Sequence, residues 1–485
     1  MINWSMVSKI MGALLFIEAA LMSICLGIAV GYGEGDVPAF VTSVALIVLA
    51  AVSFRYMGRK AGNRLSRKDA YLVVTLSWIV FSLFGSLPFM ISGFVTNFTD
   101  AFFENMSGFT TTGASVIDNV EALPHGLLFW RTFTQWIGGL GIVFFTVALL
   151  PSLDGGYVKV FSAEITGPIH TKLHPRLSMG AKYIWMVYIA LTIVCLICFM
   201  IFGMTPWESI NYAMTSTATG GFSIYNKSIE TFQSPALEYT CVVFCFLSGI
   251  NFTLLYFSVA RRKISMLFKS DEFKFYLVMT LVCTGFIMYQ LMAHRSYDTE
   301  HAFRSSIFQV VTFITTTGLF NDNAALWPHV TWVVLAVCMF VGACSGSTSG
   351  AFKCIRSMMV LKVIRNEMRQ ILHPNAVLPL RVDGVNLPMQ KRVTLLAFLA
   401  TYIILLVVVA FVMIACGIDH TNAITICLSC LGNVGPSLGL EIGPTMSWSM
   451  LPDVAKWTCA FMMLVGRLEI FTVLVIFTSS FWKEN

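Results

Sequence analysis

Charged side chains are scarce in this sequence: Asp, Glu, Lys and Arg make up 12% of its 485 residues, against about 25% in soluble domains. Hydrophobic residues make up 57%, and many stand in long uncharged blocks such as residues 72–91 and 395–415. A helix needs roughly 20 apolar residues to cross a hydrocarbon core about 30 Å thick. The scarcity of charge therefore excludes an ordinary soluble domain and predicts an all-α polytopic membrane protein.

Motifs that carry chemistry are also lacking. No G-x-x-x-x-G-K-[ST] loop, nucleophile–base arrangement or metal-ligand cluster occurs, so we expect no enzyme and no covalently bound cofactor. Two C-x-x-C pairs, Cys195/Cys198 and Cys427/Cys430, have a spacing that can indicate metal or redox sites. Both lie in apolar helical runs, which favours small residues one turn apart on a helix face. We expect no structural disulfide among the thirteen cysteines.

The basic residues are confined to a few loops, which argues against a nucleic-acid partner despite the net charge of +6. Of the 31 Lys and Arg residues, 23 lie in four segments: residues 55–68, 159–182, 261–274 and 353–392. Loops rich in Lys and Arg stay in the cytoplasm, so their alternation with acidic or neutral loops predicts that both termini are cytoplasmic. The apolar run 10–30 is longer than a usual signal core, and we interpret it as a first transmembrane helix.

A short polar turn interrupts the apolar sequence four times. The four turns are "NMSGFTTTGASV", "TSTATGGFS", "ITTTGLF" and "LGNVGPSLG", with aligned glycines Gly113, Gly220, Gly318 and Gly435. The intervals between these glycines are 107, 98 and 117 residues. A single such turn would be ordinary packing within membrane helices, but four at near-equal spacing indicate an internal repeat.

Each turn has the same predicted surroundings. A long apolar helix leaves the cytoplasmic side at 71–93, 182–203, 274–293 and 392–416. A segment too short to span the membrane follows at 98–110, 206–217, 302–315 and 421–431. After the turn, a second long helix returns at 127–150, 236–260, 329–362 and 455–481. With two further helices at 10–31 and 38–57, this predicts ten spanning helices and four half-helices.

Four irregular turns meeting at one axis would line a pore. Irregular backbone at membrane depth is tolerated only where it is buried in protein or lines a watery cavity. Glycine permits conformations that turn carbonyl oxygens inward, and the negative ends of the half-helix dipoles would point at the axis. Rings of carbonyl oxygens replace the hydration shell of a monovalent cation such as potassium. The sequence thus predicts a selectivity filter for such a cation.

The third returning helix contains "GACSGSTSGAF", residues 342–352, whose glycines and serines are poor helix formers. We expect an intramembrane loop beneath the filter that obstructs the path and moves to open it; the alternative is a small-residue packing face. The predicted gate residues are Gly342, Ser345, Gly346, Ser347, Thr348, Ser349 and Gly350.

Arg467 lies eleven residues from Lys456 and fifteen from Trp482, too deep to reach either surface comfortably. Buried charges in membranes usually face a watery interior. One interpretation is a positive barrier in the ion path. The alternative is a structural role, either in a pair with Glu469 or as a cap on the negative end of a half-helix.

This arrangement resembles the Trk/Ktr/HKT superfamily of potassium transporters, and the two extra N-terminal helices make it similar to the TrkH-type members. The resemblance implies four channel-like M1-P-M2 repeats around one pore in a bacterial cytoplasmic (inner) membrane. It also implies a homodimer and a cytosolic nucleotide-binding regulator of TrkA type. The implied units are residues 1–68 for the two N-terminal helices and 69–155, 156–270, 271–372 and 373–485 for the four repeats.

The resemblance assigns the filter to the backbone around each turn. The implied potassium-binding residues are Thr111, Thr112 and Gly113; Ala218, Thr219 and Gly220; Thr316, Thr317 and Gly318; and Asn433, Val434 and Gly435. Glycine rather than serine at Gly113 favours potassium over sodium in this family. The fourth repeat departs most, because Asn433 and Val434 replace the threonines and Pro436 follows the glycine.

The expected function is potassium uptake by gated, channel-like permeation. The alternative is a symporter coupled to protons or sodium; inverted repeats are frequent in secondary transporters, whereas these repeats are parallel. A receptor or scaffold would leave the four turns unexplained. The basic segment 353–392 would bind anionic membrane lipids or, together with residues 151–182 and 261–274, dock the regulator.

Overall fold

The structure is a computed structural model that describes residues 2–62, 66–141, 177–439, 443 and 445–483, with the backbone alone for 177–182. Helices dominate it. The one sheet in these ranges is an antiparallel hairpin of Leu380–Val382 and Val385–Leu387, in which Leu380 pairs with Leu387. The predicted all-α architecture is confirmed.

The two extra N-terminal helices are present as Trp4–Tyr32 and Val37–Met57. They pack closely against each other, and the first also contacts the first repeat. Gly12 permits this approach, because a Cβ there would lie 2.9 Å from both the Ala51 carbonyl oxygen and the Arg55 nitrogen.

The four outgoing helices and the four half-helices appear in the predicted order. The outgoing helices are Arg67–Gly85 with its continuation Leu87–Ile91, Leu177–Ile201, Asp271–Arg295 and Met389–Ala415. The half-helices, hereafter the pore helices, are Phe98–Phe109, Pro206–Ala218, Thr299–Ile314 and His420–Gly432.

Local sequence sets where a pore helix begins. In the second repeat Thr205 and Glu208 form a capping box: Thr205 Oγ1 accepts from the Glu208 nitrogen, and the Glu208 carboxylate accepts from the Thr205 nitrogen at 2.8 Å. Pro206 follows the cap at the first helical position, where its missing N–H costs no hydrogen bond. These signals fix the start of the second pore helix independently of tertiary packing.

The pore helices form the centre of the molecule, and the outgoing helices of the second, third and fourth repeats lie at its periphery. In the first pore helix ten of twelve residues are buried. In Met389–Ala415 only 22% of the most apolar window is buried, which leaves an apolar face for lipid. The turns that follow the pore helices therefore lie deep inside protein.

Two of the returning helices differ from the prediction, because they are broken rather than continuous. Pro235–Ser248 and Phe252–Ala260 meet at 100°, and Asp453–Arg467 and Phe471–Phe477 meet at 109°. The break in the second repeat has a local cause: the Asn251 side chain accepts from the Leu254 nitrogen and starts a new helix. The expected unbroken helices at 236–260 and 455–481 were wrong.

The third returning helix has the interruption that the sequence predicts, and only part of the first returning helix lies within the described residues. The first is His125–Gly139, and its predicted continuation to residue 150 lies outside the described residues. The third is His329–Val341, separated by a loop from Cys354–Leu372. Six described helices can span a membrane by length and composition, or eight if each bent pair is one span.

All thirteen cysteines are free thiols. Cys195, Cys427 and Cys430 are buried, and Cys198 is partly buried. Within the described ranges no group of three or more His, Cys, Asp or Glu side chains could hold a metal ion. The two C-x-x-C pairs thus lie in helical packing.

We predict that Gly12→Leu lowers the stability of the protein by about 1–3 kcal/mol, the usual range for overpacking, because the side chain would clash with backbone atoms of Ala51 and Arg55. Thermal unfolding in detergent, followed by tryptophan fluorescence, measures the effect. Gly27→Leu is the matched control on the same helix, since a Cβ there meets nothing within 4 Å. Equal melting temperatures for the two variants would contradict the proposed close packing.

Candidate functional site

The four turns share one backbone conformation. The residue directly after the last helical turn, or one residue later, adopts the left-handed region with φ between 52° and 58°: Thr111, Thr219, Thr316 and Asn433. Two residues further on, a glycine has φ between 78° and 100°: Gly113, Gly221, Gly318 and Gly435. Residues with a side chain rarely adopt such angles, which agrees with the presence of glycine at this second position in each copy.

This conformation corrects the sequence alignment in the second repeat. The glycine equivalent to Gly113 is Gly221 rather than Gly220, because only Gly221 has the left-handed angle. The residues in register are therefore Thr219, Gly220 and Gly221, and Ala218 is the last residue of the pore helix. The alignment was wrong here because Gly220 and Gly221 are adjacent, and the sequence does not distinguish which of them matches Gly113.

The four turns close into a ring, as predicted from their repetition. An added Cβ on each of the four glycines would lie against a carbonyl oxygen of the next repeat. The distances are 2.1 Å from Gly113 to Gly220, 2.2 Å from Gly221 to Thr317, 2.3 Å from Gly318 to Val434 and 2.4 Å from Gly435 to Thr112. Hereafter these eight residues are called the glycine ring. No side chain fits at the four left-handed glycines of this ring.

Threonine side chains brace two quarters of the ring in the same way. Thr110 Oγ1 lies 2.8 Å from Thr112 Oγ1 and donates to the Met106 carbonyl. In the third repeat Thr315 Oγ1 lies 2.8 Å from Thr317 Oγ1. These hydroxyls bond within their own turn, which leaves the backbone carbonyls as the oxygens available to an ion.

The fourth quarter is braced differently. Asn433 Nδ2 donates to Thr112 Oγ1 at 3.0 Å and to the Met463 carbonyl at 2.9 Å. The departure from threonine thus adds a direct bond between the fourth and first repeats. The dipoles of all four pore helices end at the ring with their negative ends, which favours a cation there.

A second set of braces lies on the outer side, and sequence reasoning missed it. Nine residues before the left-handed ring glycine of the first three repeats stand Glu104, Tyr212 and Gln309. Each bonds the segment that follows its own ring glycine: Glu104 accepts from Ser115 and Val116, Tyr212 OH lies 2.6 Å from Ser223, and Gln309 donates to the Asp322 carbonyl. The equivalent fourth residue is Ile426. The polar side chain at this same position in three of the four pore helices was the available signal.

The first brace contains a buried ion pair. Arg131 Nε donates to Glu104 Oε1 at 2.9 Å, and the two side chains are 2% and 1% exposed. Arg131 also donates to the Ser223 carbonyl at 3.0 Å, which joins the first repeat to the second. Every charge in this pair has several hydrogen-bond partners, as a buried pair requires.

Two cavities flank the ring. The outer one, about 120 Å³, is lined by Gly113, Gly221, Gly318 and Gly435 together with Asp118 and Ser447. The inner one, about 80 Å³, is lined by Gly139–Gly141, by Ser347 and Ser349 to Ala351, and by Lys353 and Arg467. The predicted loop of the third repeat thus faces the inner cavity.

The loop is non-helical from residue 342 to 353, which confirms a break rather than a small-residue face on a continuous helix. It lies directly against the ring. The Gly350 nitrogen donates to Thr316 Oγ1 at 2.8 Å, and the Ala351 nitrogen donates to the Gly432 carbonyl at 2.9 Å. An added Cβ on Gly350 would lie 2.3 Å from that same carbonyl.

The break in the second returning helix holds the other side of the loop. Asn251 Nδ2 donates to the Ser345 carbonyl at 2.6 Å, and the Phe252 nitrogen donates to the Gly346 carbonyl at 3.0 Å. Glu272, at the start of the third outgoing helix, accepts from the Ser345 nitrogen. The loop is therefore tied to both neighbouring helices.

Arg467 lines the inner cavity and also bonds backbone carbonyls. It donates to Thr348 in the loop at 2.9 Å, and to Gly138 at 2.6 Å and Gly139 at 2.7 Å. The last two carbonyls end the first returning helix, so Arg467 caps a returning helix rather than a half-helix. Glu469, the alternative partner, forms an ion pair with Arg356.

Four channel-like repeats closed into one ring, in a chain of membrane-spanning helices, define the class of channel-like cation transport proteins. The family model TrkH, described as "Cation transport protein", matches residues 37–484. The chain belongs to the TrkH family. Its expected assignment as a transporter rather than an enzyme is thereby confirmed.

Several characterised relatives match over their whole length. The chain is 34% identical to "Trk system potassium uptake protein TrkH" of Halomonas elongata, covering 99% of both chains. It is 31% identical to "Trk system potassium uptake protein TrkG" of Escherichia coli, covering 99% of this chain and 98% of the relative. The crystal structure of the potassium transporter TrkH from Vibrio parahaemolyticus matches with a TM-score of 0.90, 34% identity and complete coverage of both chains.

Removal of one partner of the Glu104–Arg131 pair should be strongly destabilising, by about 3–5 kcal/mol, since it leaves a buried charge uncompensated. We expect Arg131→Met to lower the thermal unfolding temperature in detergent far more than the double change Glu104→Leu with Arg131→Met, which removes both charges. If the single and double variants melt together, the ion pair is not what holds this part of the outer mouth.

Proposed function

We propose that this protein takes up potassium through the glycine ring by channel-like permeation. The observation that carries the proposal is the closed contact of four left-handed glycines with four carbonyl oxygens of neighbouring repeats. Such rings of backbone oxygens replace the hydration shell of potassium. The relatives named as potassium uptake proteins support the choice of ion.

The ion-binding backbone comprises three consecutive residues in each repeat. These are Thr111 to Gly113, Thr219 to Gly221, Thr316 to Gly318 and Asn433 to Gly435. The Thr112 and Thr317 hydroxyls bond to Thr110 and Thr315 of their own turns. Selectivity then rests on the spacing of backbone oxygens, which the braces behind the ring hold constant.

The loop of residues 342–353 acts as the gate, and Arg467 acts as an electrostatic barrier beside it. The loop hydrogen-bonds to the ring residue Thr316 and to the end of the fourth pore helix. Arg467 bonds the loop at Thr348 and places a positive charge at the inner cavity. A cation below the ring would meet both obstacles, so opening requires the loop to move away from the ring.

Orientation and partners follow from the charges and the family. The Lys- and Arg-rich segments are cytoplasmic, so both termini lie on the cytoplasmic side of a bacterial cytoplasmic membrane. The protein forms a homodimer and binds a cytosolic nucleotide-binding regulator of TrkA type, in keeping with relatives that are named as parts of a Trk system. Copurification of the purified protein with such a regulator, with and without nucleotide, tests this assignment.

Potassium uptake into liposomes should follow the potassium gradient and voltage alone, without a proton or sodium gradient. Gly113→Ser should reduce the permeability ratio of potassium over sodium by about tenfold or more. The reason is steric, because even a Cβ would lie 2.1 Å from the Gly220 oxygen. A loss of about 1.4 kcal/mol in potassium binding corresponds to a tenfold change. Flux assays with the gradients and voltage set separately measure both. A requirement for a proton or sodium gradient would indicate a symporter instead.

Loosening the gate should raise flux in the absence of a regulator. Gly350→Ala places a methyl group against the Gly432 carbonyl and should push the loop from the ring; Arg467→Ala removes the bond to Thr348 and the positive charge. We expect each to increase potassium flux severalfold in regulator-free liposomes. Gly285→Ala, in the third outgoing helix where a Cβ meets nothing within 4 Å, is the control. Unchanged flux in both variants would reject the loop as the gate.

A further inference from the structure

One side chain from outside the second turn bonds directly to the glycine ring. Gln135, in the returning helix of the first repeat, is completely buried. Its Nε2 donates to the Gly220 carbonyl at 2.6 Å, and its Oε1 accepts from Thr215 Oγ1 at 2.8 Å and from the Phe222 nitrogen at 3.1 Å. The amide thus holds the second turn from both ends and bonds one of the four ring carbonyls.

Gln135 also explains why residue 220 is a glycine. The backbone at Gly220 does not adopt the left-handed region, so its conformation accepts any residue. What excludes a side chain is Gln135, because an added Cβ would lie 2.4 Å from its Cδ and 2.5 Å from its Oε1. Gly221 adopts the left-handed angle of the ring, and Gly220 leaves space for the Gln135 side chain.

Comparison of the repeats within the chain shows that this arrangement is particular to one quarter. At the position of Gly220 the other repeats carry side chains: Thr112, Thr317 and Val434. Gln135 stands four residues before Gly139, and the matching positions four residues before Gly249, Gly342 and Arg467, which end or directly follow the other returning helices, carry Cys245, Cys338 and Met463. The chain therefore pairs its one side-chain amide at this position with its one glycine opposite.

We propose that Gln135 is a positioning residue that sets ion selectivity by fixing the Gly220 carbonyl in the second quarter of the ring. Thr112 and Thr317 brace their own quarters with hydroxyls, and Gln135 supplies the equivalent brace from the neighbouring repeat. Without it, the Gly220 carbonyl is free to rotate on a flexible Gly-Gly backbone, and the ring can contract around a smaller cation. The inference rests on the proposed role of the ring as the filter.

Two substitutions separate the hydrogen bond to the ring from the rest of the contact. Gln135→Glu keeps an acceptor for Thr215 and Phe222 and removes the donor to the Gly220 carbonyl; Gln135→Leu removes all three bonds at similar volume. Both should lower the potassium-to-sodium permeability ratio about three- to tenfold, the effect of one net buried hydrogen bond. Potassium flux itself should persist, because the other three quarters are unchanged.

Thr132→Val is the matched control for these variants. Thr132 Oγ1 donates to Asn211 at 2.6 Å, which joins the same returning helix to the same pore helix without contact to the ring. Its loss should leave the permeability ratio unchanged. A wild-type ratio in both Gln135 variants, while Gly113→Ser lowers it, would overturn the role of Gln135 and leave the filter standing. Wild-type ratios in all three would overturn the filter as well.

A double change tests the steric pairing independently. Gly220→Thr alone should disrupt potassium selectivity or folding, because its Cβ collides with Gln135. Gly220→Thr with Gln135→Cys gives the second quarter the residues of the third, Thr317 and Cys245, and should recover at least half of the lost selectivity or protein yield. If the losses of selectivity or yield in the two single variants add up in the double variant, the Gln135 side chain is not what excludes a side chain at residue 220.

Discussion

The close approach of four backbone turns is the constraint on which the rest of this structure depends. Each ring glycine lies so near a carbonyl of the next repeat that a single methyl group would not fit. Four separate chain segments, about a hundred residues apart, must therefore keep their spacing to within a few tenths of an ångström. The pore helices, their caps and the buried braces all serve this requirement.

The braces differ among the quarters because the repeats have diverged in side chains but not in backbone. Hydroxyl pairs hold the first and third turns, an amide of the neighbouring repeat holds the second, and Asn433 holds the fourth. Hydrogen bonds of different chemistry can hold the same backbone, since each satisfies a buried polar group at the same place. The four turns thus keep the same backbone conformation although their side chains differ.

The broken returning helices connect the ring to the loop of the third repeat. Continuous helices would leave no room below the ring for the loop of the third repeat. The breaks at Asn251 and beyond Arg467 supply the groups that hold this loop, through the Ser345 and Thr348 carbonyls. The loop of the third repeat is accordingly held by groups of the second and fourth repeats, and its position depends on the same helices that position the ring.

The sequence by itself determined the membrane class, the four repeats, the pore helices and the break at residues 342–353, because hydropathy, capping residues and glycine content are local properties. It did not determine the register of the Gly220-Gly221 pair, the breaks after Ser248 and Arg467, or the partners of Arg131, Gln135 and Arg467. Those depend on contacts between residues far apart in the chain, such as Gln135 with Gly220. Only the tertiary structure shows which of the two adjacent glycines adopts a left-handed angle. It is Gly221, where an added Cβ would meet the Thr317 carbonyl of another repeat.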